Sequence, residues 1–145
     1  MSIARICQRN VDTAEPFESV RTAAQRMTTR SVGMLLVLDN QRRPTGILTD
    51  RDIALRCAGE GRDPATTTVV EIMTPSPRVV SEMSSVEDAL TVMRTHGVRR
   101  LPVVNPLGEL VGVLSLDDVL ALLAEELWEM GRVIQRSSPA VLATD

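Results

Sequence analysis

Apolar residues in the second half of the chain fall into two alternating periods. Val86, Ala89, Leu90 and Met93 sit at helical spacing behind Ser84 and Glu87, which stand in capping-box register, and the run stops at His96-Gly97. Gly97 suits a left-handed C-cap and His96 the last turn, so His96 reads as a cap residue rather than a catalytic base. Leu101-Pro102-Val103-Val104 and Leu110-Val111-Gly112-Val113-Leu114 read as two short strands around a turn at Asn105 to Glu109, tight enough to form a hairpin. Ser115-Leu116-Asp117-Asp118 then opens a long amphipathic helix with Val119, Leu120, Leu122, Leu123, Leu127, Met130 and Val133 along its stripe. With the extended pair Val79-Val80 in front, the unit is β-α-β-β-α.

The first half repeats this unit at a constant offset of 66 residues, without a gap from Ile6 to Glu60. Ile6 matches Ile72, Ala23 matches Ala89, Met27 matches Met93, Gly46 matches Gly112, and Asp52 matches Asp118. Apolar matches can arise from convergent patterning, but two glycines and an aspartate in one register point to duplication. The counterparts in copy one are an extended stretch Val11 to Thr13, a helix from about Phe17 to Thr29, strands Met34 to Leu38 and Thr45 to Leu48, and a helix from Asp50 to about Ala58. Pro16 stands where a first-turn proline is tolerated. Residues 3–60 thus form repeat one, 61–68 a linker, 69–130 repeat two, and 131–145 a loose tail. Each repeat is near the size limit for folding alone. The two are therefore expected to bury their sheets against each other as one pseudo-two-fold module of the α/β (α+β) class.

Composition narrows the chemistry. All 16 basic residues of the 145 are arginine, there is no tyrosine, and His96 is the only histidine. A Schiff-base lysine, a P-loop lysine and a tyrosine acid are excluded on that inventory, and no nucleophile is paired with a base, so the chain is not expected to be an enzyme. Cys7 and Cys57 lack metal or redox spacing and read as packing residues. A net charge of −3 and an aromatic content of 1% argue against nucleic acid as a partner. No apolar run spans a membrane and the N-terminus lacks secretory-signal character, so a cytoplasmic protein is expected. The lone Trp128, on the last helix beside Leu127 and Met130, is expected in a domain or subunit interface.

Both hairpins end in a hydroxyl residue with an aspartate three positions on, Thr49-Asp50-Arg51-Asp52 and Ser115-Leu116-Asp117-Asp118. Such a pattern caps a helix whatever else it does, for about 1 kcal/mol. The strand glycines Gly46 and Gly112 just upstream mark a close approach by another backbone or a ligand. A helix N-terminus attracts phosphate and a carboxylate can hold a ribose diol, so the parts of a nucleotide site are present.

These motifs, together with Glu71-Ile72-Met73-Thr74-Pro75 and Gly97-Val98-Arg99-Arg100-Leu101-Pro102-Val103-Val104, resemble a tandem pair of cystathionine β-synthase-type (CBS) domains, a Bateman module, from Ile3 to about Leu127. The resemblance implies a stand-alone regulatory module that binds AMP, ADP, ATP or S-adenosylmethionine between the copies, with no obligatory cofactor, no metal and no catalysis. By that likeness Asp118 and Asp52 hold ribose hydroxyls and Ser115 and Thr49 reach phosphate. Arg99 and Arg100 stand where the family places phosphate ligands. The backbone around Val79-Val80, and Val11 to Thr13 in copy one, lines the adenine slot. In copy one Gly33 and Met34 replace the two arginines, and Leu36 the family's proline, so the site built on Ser115 and Asp118 is expected to be the tighter. The likeness also implies a homodimer and an unidentified regulated partner. The competing reading is a dimerising scaffold with degenerate clefts.

Overall fold

Capping chemistry decides where the two principal repeat helices begin. Ser19 and Ser85 are extended, and each side-chain oxygen accepts the amide N–H three residues on, from Thr22 and Asp88. Helix α2 (Val20–Arg30) and helix α5 (Val86–His96) follow. The caps sit one residue beyond Ser84, which is spent in a turn donating its N–H to the Ser81 carbonyl. They also lie beyond Phe17, which is 80% exposed outside any helix. Both helices end left-handed, α5 at Gly97 (φ 63°) and α2 at Ser31 (φ 54°), so one half of the duplication closes a helix on a residue that lacks glycine's freedom.

The computed structural model describes residues 2–137. Its first elements are helix α1 (Ile3–Ile6), strand β1 (Thr13–Ala14), α2, strands β2 (Met34–Leu38) and β3 (Pro44–Thr49), and helix α3 (Asp50–Asp52), which continues as a π-helical segment, Ile53–Ala58. Then come helix α4 (Val69–Ile72), strands β4 (Thr74–Pro75) and β5 (Val80–Ser81), α5, strands β6 (Arg100–Val104) and β7 (Leu110–Ser115), and helix α6 (Leu116–Arg136). Helix α6 therefore runs six residues into the segment expected as a tail. The remainder of that tail, 138–145, lies outside the described residues.

Two sheets form, ordered β1-β2-β3-β4 and β5-β6-β7. Each has a hairpin at its centre with the short leading strand parallel to it, Thr13 opposite Leu36 and Val80 opposite Val103. Alternation along the strands separates two faces. Leu35 and Val37 join the helix-side core of copy one, and Leu101 and Val103 that of copy two. Leu36 and Pro102 are fully buried yet belong to neither core. By strand alternation they point to the opposite face of their sheets, away from the helices.

The repeats also exchange their leading segments. Ile3 and Cys7 pack in the core of copy two, while Val69 and Ile72 pack in the core of copy one. Gln8 bridges to Val113 through backbone hydrogen bonds of 2.8 and 2.9 Å, and Thr74 pairs with Ile47, the equivalent position 66 residues earlier. The strand glycines make this possible. A Cβ on Gly112 would lie 2.5 Å from the Gln8 carbonyl oxygen, and one on Gly46 would lie 2.2 Å from the Met73 sulfur. The close approach inferred from the sequence is therefore met by the other copy's segment. Cys7 sits in this seam; burial pushes its thiol pKa above the ordinary value, and the nearby Asp118 charge adds to the effect.

Candidate ligand-binding cleft

The exchange decides which residues can meet. Because Gln8 is stitched to β7, the chain that follows it, Asn10 to Asp12, is carried across the junction between the copies. There it faces the α2–β2 corner (Ser31, Val32, Gly33, Met34) together with Arg100 and Val113 of copy two. These residues line a cleft of about 290 Å³. Asp12 is paired in it with Arg30, at 2.7 Å.

Beside the cleft, Ser115 lies opposite Arg100 in the β6–β7 ladder. Ser115 and Asp118 form a reciprocal capping box: the Asp118 N–H donates to Ser115 Oγ at 3.1 Å, and the Ser115 N–H donates to Asp118 Oδ2 at 3.0 Å. Asp118 Oδ1 accepts from the side-chain amide of Gln8 at 3.1 Å. One carboxylate oxygen is thus held by its own backbone. The other is held by an exposed, rotatable amide that a competing donor can displace.

The copy-one motif has the same box, between Thr49 and Asp52 at 2.9 and 3.1 Å. Its second carboxylate oxygen faces Arg56 at 3.8 Å, and that guanidinium also donates to the Ile72 carbonyl and Thr74 Oγ1. The sequence reading found no cation at the positions of Gly33 and Met34. Arg56 supplies one from the following helical turn, aligned with no arginine in copy two, where position 122 is Leu122.

The expected site residues are therefore divided. Arg100 and Val11 line one cleft, with Ser115 opposite Arg100 in the β6–β7 ladder and Asp118 bonded to Ser115. Thr49 and Asp52 stand apart, with Arg56. Thr13 lies in β1, its carbonyl accepting from Arg26, and lines a separate cavity of about 520 Å³ with Phe17, Leu38 and Arg42. Arg99 does not line the 290 Å³ cleft; it is largely exposed and pairs with Asp117 at 3.3 Å. Val79 is exposed, and Val80 is buried in the core of copy two. Of the two stretches expected to line an adenine slot, the one that meets copy-two residues Arg100 and Val113 comes from copy one, at Val11. Trp128 is 61% exposed, so no domain interface within the described chain buries it. His96 is the last, exposed residue of α5, in keeping with a cap.

Gln8, Asn10, Ser31, Val32, Val113 and Arg56 were missed. The signal that could have found them is the 66-residue register itself. It pairs Gly112 with Gly46, and two conspicuous strand glycines each require a backbone partner from outside their own hairpin. Among the described residues no group of three or more His, Cys, Asp or Glu side chains is arranged to hold a metal ion, and no helix is long and apolar enough to cross a membrane.

The chain is similar to hypoxic response protein 1 of Mycobacterium tuberculosis, 35% identical over 126 residues that cover 86% of this chain and 87% of that one. The crystal structure of Hypoxic Response Protein I, with two coordinated zinc ions, superposes with a TM-score of 0.75, covering 83% and 98% of the two chains at 31% identity. A CBS domain protein from Pyrobaculum aerophilum complexed with AMP superposes at 0.71, with 30% identity over 81% and 89% of the two chains. The chain spans 61% of the length of an uncharacterized Methanopyrus kandleri protein to which it is 29% identical over 120 residues. The CBS domain model matches twice, over residues 3–59 and 69–125. The doubled match coincides with the two repeats, and the chain belongs to the CBS domain family as a tandem pair.

Proposed function

We propose that this CBS pair is a regulatory module that binds an adenosine-containing ligand between its two copies and relays occupancy to a partner protein. The observation that carries the reading is the 290 Å³ cleft at the copy junction, which brings Val11 and Asp12 opposite Gly33 and Arg100 beside the Ser115–Asp118 box. Arg100 offers phosphate a planar cation, and Asp118 Oδ1 accepts ribose hydroxyls once the Gln8 amide swings away. The AMP complex of the P. aerophilum relative supports this ligand class.

Size and charge select within the class. The cleft is at the lower edge of the roughly 300–1,000 Å³ occupied by small-molecule sites. It offers one arginine from copy two and contains an aspartate already paired to Arg30. AMP therefore ranks above ATP, whose extra phosphates find no further cation on the cleft lining. The Asp52 site ranks second, because its carboxylate must first release Arg56.

Calorimetric titration with AMP, ADP, ATP and S-adenosylmethionine tests the reading. AMP is expected to bind the wild type. Arg100→Ala should weaken it about 10- to 100-fold, the range for losing one charged hydrogen bond of about 1.5–3 kcal/mol. Absence of heat with all four ligands, together with unchanged melting temperatures, overturns it. A dimerising scaffold is the second reading, favoured by the full occupation of both aspartates within the protein.

A further inference from the structure

The 520 Å³ cavity lies at the other end of sheet one from the junction cleft. Strands β1 and β2 run parallel, and Asp12 and Met34, at their leading ends, line the cleft. Ala14 and Leu38, at their trailing ends, line the cavity, so the five-residue length of β2 separates the two. Its volume falls within the range that small-molecule sites occupy.

One lining residue is held in a conformation that its type resists. Arg42 has φ 60°, in the left-handed region. The duplication pairs it with Gly108, which has φ 80° in the same turn. The Arg42 N–H donates to the Asp39 carbonyl as the Gly108 N–H donates to that of Asn105, and each turn closes one residue later, at Arg43 and Glu109. Copy two thus has the residue this turn favours, whereas copy one bears the strain of an arginine. The fold makes little use of that side chain. Among the described residues its guanidinium forms no ion pair. The contact that ties the turn to copy two, the Leu110 N–H on the Arg42 carbonyl at 2.9 Å, is backbone. Strain kept at a residue whose side chain faces a cavity points to a binding role.

Phe17 adds an independent observation. It is the only phenylalanine of the chain and is 80% exposed, yet it lines this cavity, where Pro16 and Leu38 extend the apolar wall. The charges then define the ligand. Asp39 is satisfied by its own turn, with the Gln41 and Arg43 N–H groups on Oδ1 and Arg43 Nε on Oδ2. Arg26 is within electrostatic reach of Glu15 but is bidentate to Glu18. That leaves Glu15 and Arg42, which line the same cavity and form no ion pair with each other or with any other described residue. An unpaired anion and an unpaired cation on one cavity suit a ligand that carries both signs, and the apolar wall suits an apolar remainder.

We propose that this cavity binds a free amino acid with an apolar or aromatic side chain. Its carboxylate sits on the Arg42 guanidinium, its ammonium faces Glu15, and its side chain packs against Phe17 and Leu38. The assignment stands whether or not the junction cleft binds a nucleotide.

Amide chemical shifts of the full chain, followed during addition of L-phenylalanine and L-leucine, test the site. Saturable shifts at Phe17, Leu38 and Arg42 are expected with at least one of the two. Phenylacetate lacks the ammonium and phenethylamine the carboxylate, and each should bind at least about 10-fold more weakly. Arg42→Gly separates binding from folding: it should melt about 2–4 °C above the wild type as the strain is relieved, yet bind at least about 10-fold more weakly. Phe17→Ala should weaken binding several-fold. Met83→Ala, at the equivalent and equally exposed position of copy two, should leave it unchanged. No shifts at millimolar amino acid, either fragment binding as tightly as the amino acid, or an Arg42→Gly chain with unaltered affinity overturns the proposal. A loss in Met83→Ala equal to that in Phe17→Ala overturns the location.

Discussion

Replacing Gly112 by alanine tests whether the copies exchange their leading segments. Gly-to-Ala inside an ordinary strand favours folding by roughly 0.5–1 kcal/mol, because alanine has less unfolded-state freedom to lose. At Gly112 the sign reverses. The added Cβ would lie 2.5 Å from the Gln8 carbonyl oxygen and 3.0 Å from the Cys7 sulfur. The nearer obstacle is backbone, so no rotamer change relieves it, and the segment must lift off β7. Lifting it strains the 2.8 and 2.9 Å Gln8–Val113 hydrogen bonds and loosens Ile3 and Cys7 from the core of copy two. Two hydrogen bonds at about 1 kcal/mol each, with the overpacking strain of one methyl group, give an expected loss of roughly 2–4 kcal/mol. Gly46→Ala meets only the flexible Met73 side chain and should lose roughly half as much. Urea unfolding followed by far-ultraviolet circular dichroism measures both. A Gly112→Ala chain as stable as the wild type, or more so, refutes the exchange.

Four further outcomes follow from named contacts. Ser31→Gly should stabilise the fold by about 0.5–1 kcal/mol, since Ser31 closes α2 at φ 54° where Gly97 closes α5, and thermal unfolding reads the gain. Ser115→Ala should cost about 1 kcal/mol without any ligand, because the capping bond to Asp118 is lost; its melting temperature in buffer separates this from a binding effect. Arg99→Ala should leave nucleotide affinity within a factor of about two in titrations that detect the Arg100→Ala loss, because its partner is the exposed Asp117 and surface pairs contribute little. Glu71 accepts the Thr68 N–H and hydroxyl, which hold its carboxyl below the ordinary value. That stability is present above the unfolded value, near pH 4.3, and is lost as pH falls through the lowered folded one. The difference in melting temperature between wild type and Glu71→Gln, seen at pH 7, should therefore shrink towards pH 3.

The repeat, both hairpins and the capping motifs were legible because each rests on local signals: helical spacing, an Asn105 turn, glycine at a left-handed cap. The cap of α5 moved from Ser84 to Ser85 because two serines offer the same chemistry, and only the turn made with Ser81 assigns one of them elsewhere. The site was half legible. Ser115 and Arg100 share one hairpin and Asp118 opens the helix that follows it, so local reading kept them together. Which leading stretch serves which motif was not legible, because nothing local says that Ile3 to Gln8 docks on the other copy's β7. Only the sterics at Gly112 carry that information. Arg56 escaped because the comparison of the copies stopped at the positions of Arg99 and Arg100, although it stands only four residues after Asp52, an ordinary helical spacing.

The most direct measurement of the central claim is amide chemical-shift mapping of the full chain during addition of AMP. Saturable shifts at Gly33, Met34, Arg100 and Val113, spreading to Gln8 as its side chain leaves Asp118, are the expected result. Shifts gathered instead around Phe17, Leu38 and Arg42, or none at millimolar AMP, contradict a nucleotide site at the junction of the two copies.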